Sequence, residues 1–172
     1  SHMPYFKNLR EEFKKDRFGK FQGSVIFYSK GLKNNASHAV DLISFILDET
    51  LLEYKKINEY KEILSNDPNY SFFSSSHGRE ILFLPMDERN FSIFEIDIFF
   101  EKKRFRIINN SFDFEEYDVM EDKNYPGYSG LIKVKEGKTN MEESIKNLWE
   151  EIYCMSNNRN PMPKERLNTA HK

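Results

Sequence analysis

The sequence predicts an α+β fold, with an antiparallel sheet of about four to five strands and helices packed mainly on one face. Three observations predict it. Residues Phe91 to Ile108 alternate apolar and charged side chains, reverse near Lys102-Lys103, and alternate again. That period of two is a hairpin with one apolar and one charged face. Strand-like runs follow one another across short turns, which favours antiparallel pairing, while helical spacing is gathered before and after them.

The elements follow in order. Phe6, Leu9 and Phe13 lie at helical spacing, so Pro4 to Asp16 is expected as a short helix ended before Gly19. Val25 to Tyr28 reads as a short strand between Gly23-Ser24 and Lys30-Gly31. From Ser37 to Leu64, the residues Val40, Ile43, Leu47, Leu51, Tyr54 and Ile57 step by three or four. They predict the longest helix, breakable near Glu53-Tyr54, capped by Asn35 or Ser37 and stopped at Asn66-Asp67-Pro68. Ile81 to Leu84 is a continuous apolar run, read as a strand buried on both faces and closed by Pro85.

In the hairpin, Phe94, Ile96, Ile98 and Phe100 share the core face, and Glu95, Asp97, Phe99 and Glu101 share the other. A turn at Lys102-Lys103 pairs Phe100 with Phe105, Ile98 with Ile107, and Glu101 with Arg104. Lys-Lys suits a tight turn poorly, so a loop from Glu101 to Arg104 is expected. Tyr125 to Gly130 is read as a loop and Leu131 to Lys135 as the last strand. Thr139 and Glu142 form a capping box for a final helix with Met141, Ile145, Leu148, Trp149 and Ile152 on its apolar face.

At 172 residues the chain has the length of one domain, expected over residues 4–155. Ser1-His2-Met3 reads as an expression-vector remnant, and 156–172, rich in Asn, Pro and Lys, as a mobile C-terminal tail. Sixteen Phe and nine Tyr supply a core that the 38% apolar fraction would otherwise leave thin. No run is long enough to span a membrane. Cys154 is the only cysteine, so no internal disulfide forms, which fits a cytoplasmic protein.

Formal net charge is −2, which argues against general nucleic-acid binding. The charge is uneven. Residues 1–33 carry eight Lys/Arg against Glu11, Glu12 and Asp16, whereas Asn109 to Asp122 holds six carboxylates and no cation. Phe112, Phe114, Tyr117, Tyr125 and Tyr128 accompany that acidic run. Aromatic anchors among charges suit a protein–protein interface, with the charges steering encounter. The candidate partner-binding residues are Asp113, Glu115, Glu116, Tyr117 and Asp118, with Glu95 and Asp97 as a second patch.

Catalytic signals are sparse. His77 and Arg79, in Ser74-Ser-Ser-His-Gly-Arg79, offer acid–base and charge stabilisation for a phosphodiester, against a plain polar turn. Asp87, Glu101 and Lys103 resemble the magnesium-binding set of restriction-type nucleases, but Glu101 and Lys103 fall at the presumed turn. His38 lies at a helix start, where imidazole often only hydrogen-bonds. Cys154 has no evident base. Motifs for zinc, calcium, P-loop or serine-hydrolase chemistry are missing, so neither metal nor cofactor is expected and the chain is read as a non-enzyme.

In size, compartment and charge layout the chain resembles bacterial immunity proteins, which neutralise polymorphic or contact-dependent-inhibition toxins. That resemblance implies tight one-to-one binding to a toxin domain, often a nuclease, whose basic active site is occluded. The alternatives are a small hydrolase or nuclease, and a phage-type inhibitor or nucleic-acid mimic. The basic N-terminal third opposes the last.

Overall fold

The computed structural model describes residues 3–51, 53–60, 67–89, 91–140 and, singly, Lys146, Trp149 and Tyr153. Among the continuously described residues, two α-helices, α1 (Pro4–Lys14) and α2 (Ser37–Leu47), accompany eight strands. The strands are β1 (Phe21–Tyr28), β2 (Tyr54–Tyr60), β3 (Asn69–Ser76), β4 (Arg79–Pro85), β5 (Phe94–Phe100), β6 (Lys103–Ile108), β7 (Asp113–Glu121) and β8 (Ser129–Lys138). They form one sheet in the order β2-β3-β4-β1-β5-β6-β7-β8.

The expected fold class is therefore corrected. The sheet has eight strands, not four to five, and it is mixed, because β1 pairs parallel to β4 while its other neighbour, β5, is antiparallel. The chain leaves β1 through a single π-helical turn (Leu32–Ala36) and α2, then returns through β2 and β3 to β4. That connection makes the one parallel pair possible.

Three local readings fail for identifiable reasons. The long helix stops at Leu47, because Asp48 takes the left-handed conformation (φ 53°) that closes a helix, with its own N–H on the Phe45 carbonyl (3.4 Å) and the Glu49 N–H on that of Ser44 (3.1 Å). Tyr54, Ile57 and Tyr60 lie on β2 instead. It is an edge strand exposed along its whole length, with Lys55 and Lys56 guarding the edge. β3 went unseen because Asn69-Tyr-Ser-Phe-Phe-Ser-Ser-Ser76 is rich in serine, although Ser71, Ser74 and Ser76 are buried. The acidic run, for which no strand was expected, forms β7.

The hairpin is β5–β6, with the expected core face but a shifted register. Ile98 pairs with Phe105 and Ile96 with Ile107, while Arg104 faces Phe99, so the turn is Glu101-Lys102. Shifting the turn by one residue moves each pairing by two and keeps side-chain parity.

The core lies between the helices and one face of the sheet. Phe6 and Leu9 of α1 and Ala39, Ile43, Ile46 and Leu47 of α2 pack on Ile26, Ile81, Phe83, Ile96, Ile98, Phe105 and Ile107. Pro4 opens α1, where a missing N–H costs nothing. Arg10 and Lys14 of α1 both pair with Asp48, fastening α1 to the end of α2. The final helix and the tail of 156–172 lie outside the described residues, apart from Lys146, Trp149 and Tyr153. Thr139 is buried, and its Oγ1 donates to the Ser111 carbonyl (2.6 Å) and lies 3.3 Å from that of Phe112. No described helix is long and apolar enough to cross a membrane.

Candidate functional site

A cleft of about 440 Å³ opens between the first turns of α2 and the β2–β3 edge. That volume falls within the roughly 300–1,000 Å³ of small-molecule sites. Leu32, Val40 and Phe72 give it an apolar floor, with Tyr54 and Tyr70 as further aromatic rings and Ser37, Asp41 and Lys56 as polar heads.

Several contacts fix these groups. Tyr54 meets Phe72 edge to face at 5.8 Å and donates its hydroxyl to the Leu51 carbonyl (2.7 Å). Burial, and then the Asp41 carboxylate, push the Tyr54 phenol above its ordinary pKa, so it stays a neutral donor at physiological pH. Lys56 lies 4.2 Å over the Tyr70 ring and 2.6 Å from Glu59. The Tyr70 backbone is held by Tyr28, whose fully buried hydroxyl donates to the Tyr70 carbonyl (2.6 Å) and accepts from its N–H (2.9 Å).

His38 stands on the exposed side of α2, three residues before Asp41 and so on the same side of the helix. It makes no hydrogen bond among the described residues. The sequence reading placed Tyr54, Ile57 and Tyr60 on a helix, so the cleft beside Tyr54 was missed. The alternation Tyr70-Ser-Phe72 was the available signal.

The residues proposed for partner binding are not a free acidic patch. β7 alternates them between the two faces of the sheet. Glu115 and Tyr117 share with Asp97 the face opposite α1 and α2. There Arg106 reaches Glu115 (3.0 Å) and Asp97 (3.2 Å), Arg104 reaches Asp97 (2.9 Å), and Tyr117 donates to Glu115 (2.7 Å). Glu116 pairs with Lys135 (3.4 Å) and Asp118 with Lys103. Asp113 pairs with Lys138 and accepts from Asn109 Nδ2 (2.8 Å), and Glu95 accepts from the Asn109 N–H (3.4 Å). The sequence showed six acids without cations because the cations of four, Asp113, Glu115, Glu116 and Asp118, come from β6 and β8, while Glu121 and Asp122 accept the Gly127 and Asn124 N–H groups. Hydrogen bonding by Tyr117, then Lys133, holds the Glu115 carboxyl below its ordinary range despite some burial.

The catalytic alternatives also disperse. His77 sits in the β3–β4 turn at φ 50°, its Nε2 2.9 Å from the Leu47 carbonyl and its N–H on Glu49 (2.8 Å). It ties a turn to the end of α2. Asp87 is engaged by Arg89, Glu101 accepts from the Lys20 N–H (3.1 Å), and Lys103 is taken by Asp118. Among the described residues no three His, Cys, Asp or Glu gather as metal ligands. Cys154 lies outside them.

The sequence matches no family model and no curated protein. The fold, however, is shared with solved oxidoreductase structures. A protein provisionally named as an NADPH-dependent oxidoreductase from Desulfitobacterium hafniense aligns at TM-score 0.60 and 9% identity, over 95% of this chain and 55% of its own. An oxidoreductase domain protein from Kribbella flavida gives 0.58 and 12%, over 93% of this chain and 57% of its own. Levoglucosan dehydrogenase, solved with NADH and levoglucosan, gives 0.55 and 7%, over 73% of this chain and 42% of its own. The chain thus spans about half the length of these neighbours.

At such identities the likeness concerns fold alone, and that is enough to overturn the immunity-protein resemblance. The sheet is of a type found in oxidoreductases, so the toxin partner, the toxin-inhibitor role and the expectation of a non-enzyme are withdrawn.

Nicotinamide cofactors appear in the names of two of those neighbours, which raises a dinucleotide as a candidate ligand. It does not fit. A dinucleotide fold needs successive parallel strands and a glycine-rich turn at a helix start. Here β1 and β4 are the one parallel pair among the described residues. The turn after β1, Ser29-Lys-Gly-Leu-Lys-Asn34, has one glycine. A Cβ at that Gly31 would overlap the Asp67 carboxylate, so the space beside it is already filled.

Proposed function

We propose that this chain is the ligand-side domain of an oxidoreductase-type protein, and that its α2–β3 cleft takes a cyclic polyol of the sugar class. The cleft itself carries this reading, with aromatic walls at Tyr54, Tyr70 and Phe72 and charged heads at Asp41 and Lys56. The C–H faces of a sugar ring pack on aromatic rings, while its hydroxyls require both acceptors and donors. Asp41 accepts, Lys56 donates, and Tyr54, whose proton lies on the Leu51 carbonyl, accepts. The sugar named with levoglucosan dehydrogenase supports the ligand class.

Saturation-transfer NMR with a panel of cyclic sugars, levoglucosan included, tests this. At least one is expected to show saturable transfer from aromatic protons. Asp41→Ala should weaken it by about tenfold, the cost of one lost charge-assisted hydrogen bond. A panel without saturable binders, or binding indifferent to both Asp41→Ala and Tyr54→Ala, contradicts the reading.

A further inference from the structure

The turn after β1 lies where an α/β sheet commonly presents an anion site, outside the carboxyl end of a strand and at the start of a helical segment. Four consecutive backbone N–H groups leave this turn, and each is already taken by one tripeptide. Gly31 N–H donates to Asn69 Oδ1 (3.0 Å) and Leu32 N–H to the Pro68 carbonyl (3.1 Å). Lys33 N–H donates to both Asp67 carboxylate oxygens (3.1 and 2.8 Å), and Asn34 N–H to Asp67 Oδ2 (3.0 Å). Gly31 has φ 88°, and a side chain there would collide with the same carboxylate.

We propose that Asp67-Pro68-Asn69 is an internal stand-in for a phosphate, which seals the β1 exit against dinucleotides and other phosphate esters. Successive N–H groups in such a turn form a concavity that selects an anion. A carboxylate from the same chain fills it without the entropic cost of capturing a free ligand. Any nicotinamide used with the cleft must then be carried by a polypeptide surface other than this turn. The same contacts seat Leu32, a cleft residue, against the start of β3, so the seal also shapes the cleft. The inference does not depend on which ligand the cleft takes.

Amide hydrogen exchange on the full chain is the test, with inorganic phosphate and NADH as probes against sodium chloride of equal ionic strength. In the wild type, the Lys33 and Asn34 amides should be protected without ligand and unchanged by either probe. In Asp67→Ala they should exchange about tenfold faster, as expected when a carboxylate cap is lost. Phosphate should restore their protection there, and Asp67→Asn should lie between the two. Phosphate- or NADH-induced protection of these amides in the wild type overturns the proposal. So does Asp67→Ala exchange equal to that of the wild type. Should Asp67→Ala not fold, the wild-type and Asp67→Asn arms still decide.

Discussion

Tyr28 illustrates how one buried polar atom organises this molecule. Its ring is fully buried at the end of β1, and its hydroxyl satisfies both backbone groups of Tyr70 on β3, across the intervening β4. Tyr28→Phe keeps the ring and strands a buried N–H and C=O. Stability should fall by about 1–3 kcal/mol, read as a lower urea midpoint. Because Tyr70 lines the cleft, sugar binding should weaken as well, whereas Ser24→Ala, on the same strand but away from the cleft, should leave binding unchanged. An equal effect on binding from both variants would detach Tyr28 from the site.

At the scale of elements, legibility followed how local the determinants were. The α1 helix and the β5–β6 hairpin were readable because their apolar period is written in adjacent residues, and β4 because its apolar run is continuous, although Leu82 and Leu84 are only half-buried and not the second buried face expected. The end of α2 was not, since Asp48 closes it with a conformation more typical of glycine and is held there by Arg10 and Lys14 from α1. β2 and β3 misled for opposite reasons: Tyr54, Ile57 and Tyr60 mimic a helical stripe, and buried serines mimic a loop. The acidic run looked unpaired because its partners are brought in by strand order. Core burial sets what each strand contributes. Ile96, in the middle of β5 and almost fully buried, lies beneath the helices. Ile96→Ala should cost about 2–5 kcal/mol, measured by chemical denaturation with an unchanged slope.

Over the whole molecule, charge acts mainly as internal stitching. Asp48 is held below its ordinary carboxyl value first by its hydrogen bond to Arg10 and then by Lys14. Glu49 is lowered by Ser76 and then by the His77 N–H, and Asp113 by Lys138 and then Asn109. These groups are lowered in the folded state, so they stabilise it above their ordinary values of 3.8 and 4.5 and cease to do so as pH falls through the lowered ones. The urea midpoint should therefore be flat from about pH 7 to about pH 5 and drop below about pH 4. A midpoint that stays level down to about pH 3 would deny these pairs their role. Each pair is exposed and individually weak, so the drop should be gradual.

The same scale explains why the function was not legible. The cleft assembles Leu32, Asp41, Tyr54 and Tyr70 from a turn, a helix and two strands that meet only in the folded sheet, and no motif announces it. Its occupancy is the direct test of the central claim. A crystal structure of the chain soaked with the best sugar of the panel should show the ring against Tyr54, Tyr70 and Phe72, with hydroxyls on Asp41 and Lys56. A sugar bound elsewhere while this cleft stays closed to it would contradict the account.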